Sequence, residues 1–142
     1  MIGLQEAEHE ESAPEASQLV ISKLVCSLVG STETVTITPG TQTHRIYGQT
    51  EAREQFACNY GLNPAYQEQI IRGDLKIAGV GPEGEVRVVE LTAHPFFIGT
   101  LYLPQVSSTP ESPHPLLLAY LEAAQAFHAA RASGLGPGKT AD

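Results

Sequence analysis

The chain has 142 residues, 42% of them hydrophobic, which suits a single domain with an ordinary buried core. Eight Lys and Arg against 16 Asp and Glu give a formal charge of -8, which argues against a nucleic-acid partner and against an anionic membrane surface. No apolar run is long enough for a spanning helix, and no signal peptide is predicted. Two cysteines are too few for a disulfide framework, so we expect a cytoplasmic setting.

The first two segments of the chain differ sharply in composition. Residues 1–15 carry five Glu and a Pro, which predicts an acidic, flexible N-terminus. His9 lies among four of these Glu and could bind a divalent metal, but a solvated acidic face is the preferred interpretation, and no metal site is predicted. Residues 16–29, "ASQLVISKLVCSLV", are apolar without a clean helical stripe, which predicts a buried helix of two or three turns ending at Gly30.

The next segments alternate strand and turn signals. Residues 32–38 place Val35 and Ile37 on one face and predict a strand, which Pro39-Gly40 ends. The short stretch "HRIYG" follows. Residues 53–63, "REQFACNYGLN", predict a second strand, and Asn63-Pro64 then opens a helix that stops at Gly73.

The C-terminal part predicts a hairpin, a strand and a long helix. Residues 75–91 form a hairpin pattern around the turn at 81–84. The apolar run 94–103, "HPFFIGTLYL", predicts a strand covered on both faces. Pro115 starts a helix with apolar residues at three- and four-residue steps: Leu116, Ala119, Tyr120, Ala123, Phe127 and Ala130. We therefore predict one α/β domain over 16–131, a layered sheet with flanking helices, and a flexible tail over 132–142.

Several motifs occur in an order that indicates a family. They are "PGTQTHRIYG", "NYGLNP", a hairpin with an acidic end at Glu90, "HPFF", "LYLPQ", "SSTP" and "HPLL". In this order the chain resembles the C-terminal half of a class I glutamine amidotransferase domain of the CTP synthase type. The resemblance implies a flavodoxin-like fold, a link to pyrimidine nucleotide biosynthesis, and structural roles for the retained motif residues His94, Pro95, Pro104, His114 and Pro115.

The same resemblance implies a Cys–His–Glu triad. A cysteine thiolate attacks the glutamine side chain, a histidine transfers the proton, and a glutamate orients the histidine. The histidine and glutamate positions are occupied here by Leu103 and Gln105. The family's nucleophile lies upstream on a glycine-flanked turn. Cys26 and Cys58 have no flanking glycine and lie in apolar stretches, so we expect both to be structural.

Substrate binding is also expected to be lost. In CTP synthases, Arg and His side chains before the "Tyr-x-x-Asn" motif help to hold the glutamine carboxylate, and this chain has "QFACN" there. Tyr60 and Asn63 persist as remnants of that strand. His44, Arg45 and His128 are assigned no role.

The leading interpretation is therefore a degenerate, truncated CTP-synthase-like amidotransferase relative, a pseudoenzyme without glutaminase activity or cofactor. The chain could be the C-terminal part of a longer protein or a short protein in its own right. The alternative is a non-catalytic binding or assembly module. In either case we expect a homo-oligomer, or a protein partner that covers an open sheet, and no nucleic acid or membrane partner.

Overall fold

The structure, a computed structural model, describes residues 4–133. Eight strands, four α-helices and a short 3-10 helix at Pro64–Tyr66 occur within this range. In chain order they are β1 Glu8–His9, β2 Leu19–Lys23, β3 Thr32–Ile37, α1 Gln42–Tyr47, β4 Glu51–Gln55, β5 Tyr60–Leu62, α2 Gln67–Arg72, β6 Leu75–Val80, β7 Val86–Leu91, β8 Ile98–Thr100, α3 Pro104–Ser107 and α4 Pro115–Ala132.

A five-stranded sheet organises the molecule, with strand order β4-β3-β6-β7-β8 and antiparallel neighbours throughout. The predicted strand at 32–38 and the hairpin at 75–91 are confirmed. Strands β3, β6 and β7 pack closely because Gly79 lacks a side chain: a Cβ there would lie 2.9 Å from Val88 Cγ2 and 3.0 Å from Val35 Cγ1. The predicted class, α/β with a layered sheet and flanking helices, is confirmed.

The two outer strands of this sheet approach each other at one end. Phe56, just after β4, and Tyr102, just after β8, form an antiparallel bridge. The Leu103 amide donates to the Gln55 carbonyl at 3.1 Å. The rings of Phe56 and Tyr102 also meet edge to face, with centroids 5.8 Å apart. The sheet is therefore curled so that its first and last strands share hydrogen bonds.

A second sheet has strand order β1-β2-β5. Its central strand β2 overturns the predicted helix at 16–29. Residues 21–23 pair antiparallel with β5 instead, in the register Ile21↔Leu62. The physical reason is that the segment has β-branched Val20 and Ile21 and no helical stripe, so a sheet partner outweighs its local helical tendency.

Two further strand predictions need correction. Residues 53–63 form no single strand, because β4 and β5 belong to different sheets. The run 94–103 contributes only β8, which lies at the edge of the sheet and is half-buried, while Phe97 is 40% exposed. Pro95 has no amide proton, and the His94 amide is used in a turn to the Leu91 carbonyl at 3.1 Å, so the strand begins later than predicted.

Part of the acidic N-terminus is hydrogen-bonded into the second sheet. Strand β1 pairs parallel with β2, and the Glu8 amide donates to the Gln18 carbonyl at 2.9 Å. The division of the chain into 1–15, 16–131 and 132–142 stays a prediction. Most of the predicted tail, including residues 134–140, "GLGPGKT", lies outside the described residues.

The core lies between the five-stranded sheet, the loop before β3 and the start of α4. Its buried apolar residues are Leu28, Val35, Ile37, Ala52, Phe56, Ala78, Val88, Tyr102 and Leu116. Helix α4 is confirmed at its predicted position, but Leu116 is the only buried residue among its 18 residues, all of which the structure describes. Tyr120 and Phe127, predicted members of its apolar stripe, are 56% and 50% exposed. Within residues 4–133, no helix has the length and apolarity needed to cross a membrane.

Glu90 fixes helix α1 against the sheet. Its carboxylate, 2% exposed, accepts the Gln42 amide, the Thr43 amide and the Thr43 hydroxyl, each at 2.9 Å. These are unpaired donors at the start of a helix, where a negative charge is favourable. Glu90, the acidic residue at the end of the predicted hairpin, therefore holds the start of α1 against the sheet.

We predict that Glu90→Gln lowers the free energy of unfolding by about 2–3 kcal/mol, because the amide group offers one acceptor oxygen to donors that now use two. Chemical denaturation measures the change. Glu51→Gln is the matched control, since Glu51 is exposed in β4, and it should change stability by less than about 0.5 kcal/mol. Equal losses in both variants would contradict the role of Glu90.

Candidate functional site

The positions implied for the catalytic histidine and glutamate lie where β8 leads into helix α3. Leu103 is the residue before α3 and is half-buried, Pro104 is the first helical residue, and Gln105 is exposed. Leu103 lines a cavity of about 200 Å³ together with Gly30, Ser31, Gln55, Phe56, Ala57 and Val106. Of these described lining residues, none has a side chain that can exchange a proton near neutral pH. The described lining of this cavity therefore provides no acid–base group.

The two cysteines lie away from this cavity's lining. Cys58 is half-buried and lines a different cleft of about 470 Å³, which also contains Tyr60. Cys26 is exposed and lines a third cavity. The expectation that Cys26 sits in apolar surroundings is therefore wrong: it lies in the loop after β2, next to the fully exposed Val25. The structure does not bring either thiol into the lining around Leu103.

The two remnants of the substrate-binding strand are engaged within the fold. The Asn63 side chain accepts the Ala65 amide at 3.0 Å and donates to the Leu19 carbonyl at 2.9 Å. The Tyr60 ring lies against the His9 ring, with centroids 5.0 Å apart. Asn63 thereby caps the 3-10 helix and ties β5 to β2.

The retained His-Pro motifs occupy chain turns. His94 Nδ1 accepts the Phe96 amide at 3.2 Å, and the Pro95 carbonyl accepts from the Gln42 side chain at 3.1 Å. His114 is the N-cap of α4, and Pro115 is its first residue.

His44 and Arg45 lie in α1, where the Arg45 side chain donates to the Gly40 carbonyl at 3.4 Å. Within residues 4–133, no three His, Cys, Asp or Glu side chains are arranged to hold a metal ion.

A buried polar cluster lies beneath these motifs, and the sequence analysis missed three of its four members. Glu54, 2% exposed, accepts the Tyr47 hydroxyl at 2.6 Å, and His114 Nε2 lies 3.1 and 3.2 Å from its two carboxylate oxygens. The Tyr47 and Tyr102 hydroxyls are 2.9 Å apart. Because the Tyr47 proton is directed at Glu54, Tyr102 donates to the Tyr47 oxygen. We call these four residues the Glu54 cluster.

Burial sets the protonation of the two tyrosines. It raises the pKa of Tyr47 well above its usual range, and the neighbouring Tyr102 and Glu54 raise it further. Burial also raises the pKa of Tyr102. Both phenols therefore stay neutral donors at neutral pH. Glu54, Tyr102 and His114 are 2%, 1% and 6% exposed and Tyr47 is half-buried, so the cluster is largely shielded from solvent and acts as a structural unit.

One signal in the sequence could have located Glu54. Strand β4, "EAREQ", alternates exposed and buried positions, so Glu54 shares the inward face with Ala52. The polar neighbours on both sides, Arg53 and Gln55, hide this alternation. Tyr47 and Tyr102 have no comparable signal, because they meet Glu54 only through the tertiary fold.

Known CTP synthases are similar to this chain in sequence and in structure. A CTP synthase of Flavobacterium psychrophilum is 43% identical over 89 residues, covering 62% of this chain and 17% of the relative. A CTP synthase of Picosynechococcus is 34% identical over 131 residues, covering 85% of this chain and 24% of the relative. The solved glutaminase domain of the Trypanosoma brucei CTPS, with bound acivicin, superposes with a TM-score of 0.81 at 26% identity, covering 89% of this chain and 53% of that one.

This chain is a homologue of the C-terminal part of the CTP synthase glutaminase domain. Its fold is that of a class I glutamine amidotransferase, which is flavodoxin-like, so both the resemblance and the predicted fold class are confirmed. The chain spans about a sixth to a quarter of the length of the curated CTP synthases that it matches. No family model matches the chain.

We predict that stability declines as pH rises above about 10, the ordinary pKa of tyrosine. The folded state holds the Tyr47 and Tyr102 protons more tightly than the unfolded chain does, since both pKa values are raised. The stability that these protons confer is complete below that pH and is lost as the pH rises, because the unfolded state releases them first. Urea unfolding at pH values from about 8 to about 11 measures the decline.

Tyr47→Phe serves as the test variant and Tyr120→Phe as its control, because Tyr120 is exposed. Tyr47→Phe should lower stability at neutral pH by about 1–3 kcal/mol, since Glu54 loses a buried donor, and should make the alkaline decline shallower. A wild-type stability that stays flat up to about pH 11 would count against the closed cluster.

Proposed function

We propose that this chain is a CTP-synthase-like glutaminase module that does not hydrolyse glutamine on its own. The observation that supports this is the pair Leu103 and Gln105 at the positions of the proton-transferring histidine and its orienting glutamate. Leucine cannot carry a proton, and glutamine keeps the shape of glutamate without its charge. A cytoplasmic location, expected from the two free cysteines, is part of the same proposal.

The surroundings of Leu103 support the proposal further. Its cavity contains Ser31, but the Ser31 hydroxyl donates to the Leu28 carbonyl at 2.9 Å, and no histidine or carboxylate lines the described cavity to activate it. Residues 55–59, directly before Tyr60, include no guanidinium to grip a substrate carboxylate. The residues around Leu103 and directly before Tyr60 therefore support neither nucleophile activation, nor proton transfer, nor substrate anchoring.

We predict that the purified chain releases glutamate from glutamine no faster than its Cys26→Ser/Cys58→Ser variant. A coupled assay for glutamate measures the rate, with an active CTP synthase as positive control. Turnover above the uncatalysed background that disappears on Cys58→Ser would refute the proposal.

The double variant Leu103→His/Gln105→Glu sharpens this test. It restores the base and its orienter, but the members of a triad act as a unit, so activity should remain at background without a nucleophile. Restored activity would mean that Cys26 or Cys58 reaches position 103. Circular dichroism should accompany the assay, because Leu103→His places a polar ring in a cavity lined by the apolar Phe56 and Val106.

A second candidate function, a binding or assembly module, is favoured by the outer face of α4. Four large apolar side chains on this helix are between 45% and 56% exposed: Leu118, Tyr120, Leu121 and Phe127. Exposed apolar patches of this kind mark contacts with other proteins. We propose that a homo-oligomer, most simply a two-fold dimer, or a protein partner covers this face.

We predict that the chain self-associates at micromolar concentration, with a light-scattering mass above the 15.2 kDa of one chain. Leu121→Lys should shift the mass toward a single chain, because a charge in an apolar contact is costly to bury. Val25→Lys is the control, since Val25 is exposed away from α4. A monodisperse mass near 15.2 kDa with no binding of an apolar dye would argue against this candidate.

A further inference from the structure

His114 uses both ring nitrogens at the point where α4 begins. Its Nδ1 accepts the Leu116 amide at 3.2 Å, which caps the first turn of the helix. Its Nε2 faces both carboxylate oxygens of Glu54. Since Nδ1 accepts a hydrogen bond it carries no proton, so the geometry corresponds to a neutral imidazole that donates from Nε2.

A second proton on this ring would change the cap. The proton would sit on Nδ1, where it would face the Leu116 amide donor, and the acceptor would be lost. Leu116 is 5% exposed, so water has little access to replace it. The compensation lies on the other side of the ring, where an imidazolium and the Glu54 carboxylate form an ion pair. The protonated state therefore exchanges a helix cap for a charged contact.

Helix α4 depends strongly on its first turn. Leu116 is its one buried residue, and from residue 124 onward its described side chains are exposed except for the half-buried Ala130. Its ring contact with the rest of the molecule, Tyr120 against Phe96, has centroids 5.7 Å apart and an exposed tyrosine. A helix with so little buried surface is sensitive to the loss of a cap.

The titratable groups that face His114 come from three parts of the fold. Strand β4 contributes Glu54, α1 contributes Tyr47, whose hydroxyl is 3.4 Å from Nε2, and the segment after β8 contributes Tyr102. Burial raises the pKa of both tyrosines, so they stay neutral. The residues of α3, Pro104–Ser107, have no ionisable side chain, and the Ser108 hydroxyl accepts the His114 amide at 3.0 Å. The nearest charged residue of α4 itself, Glu122, is two turns away and exposed.

We propose that His114 is a proton-sensitive N-cap. The neutral ring holds the first turn of α4 through Nδ1. Protonation of Nδ1 removes that hydrogen bond and releases the turn, while Nε2 keeps its contact with Glu54. The inference concerns the described fold and does not rest on the proposed loss of glutaminase activity.

Amide hydrogen exchange at Leu116, Leu117 and Leu118 tests the proposal, after correction for the intrinsic effect of pH on exchange. Between about pH 7.5 and about pH 5.5, protection of the Leu116 amide should fall about fivefold, the size of a typical N-cap contribution. His114→Asn should remove the fall, because asparagine caps a helix without titrating. His128→Asn, the same change at an exposed position of the same helix, should leave it intact.

Two results would overturn the proposal: no fall in the unmodified chain, or an equal fall in His114→Asn. If His114→Asn does not fold, the side-chain ¹⁵N shifts of His114 in the unmodified chain decide. They should show a proton on Nε2 and none on Nδ1 at neutral pH, and protection of the Leu116 amide should follow the His114 titration. A proton on Nδ1 at neutral pH, or a Leu116 amide that ignores the titration, contradicts the proton-sensitive cap.

Discussion

The buried carboxylate of Glu54 is the interaction on which the arrangement of the helices depends. An ionised group withdrawn from water is stable only when donors surround it. Tyr47 and His114 are those donors, and Tyr102 stabilises the arrangement by donating to Tyr47. One side chain in β4 thereby links α1, the end of β8 and the start of α4. Removing Tyr47 would leave the Tyr102 hydroxyl without this hydrogen bond, and removing Glu54 would take the carboxylate from both Tyr47 and His114, so the members depend on one another.

The Glu54 cluster and the 103–105 segment differ in the chemistry of their surroundings. The ionisable groups that remain are used to hold elements together: Glu90 binds the start of α1, and Glu54 binds the start of α4 through His114. At Leu103 the neighbouring side chains are apolar or neutral. Leu103 packs among these side chains, whereas Gln105 is exposed.

Local signals in the sequence predicted most of the helices and strands, but not which strands pair with one another. The β6–β7 hairpin and helix α4 have turn, capping and periodic patterns that act over a few residues, and both were predicted correctly. The segment 16–29 was misjudged because its strand β2 exists only through pairing with β1 and β5, which lie elsewhere in the chain.

In the candidate site, too, residues could be predicted only where their motif is contiguous in the sequence. Leu103 and Gln105 could be singled out by resemblance because their motif is continuous in sequence. The Glu54 cluster unites residues 47, 54, 102 and 114, whose proximity only the fold creates. The one local sign of the cluster in the sequence is the alternation of exposed and buried residues in β4, and the polar residues at the exposed positions mask it.

The bridge between Phe56 and Tyr102 also bears on the order in which the chain folds. It closes a loop of more than forty residues, whereas the β6–β7 hairpin closes over a turn of a few residues. Closing a long loop costs more chain entropy and is repaid only when distant contacts form together. The curled sheet and the Glu54 cluster that Tyr102 joins therefore belong to the late, cooperative stage of folding, and the hairpin is the natural place for structure to start.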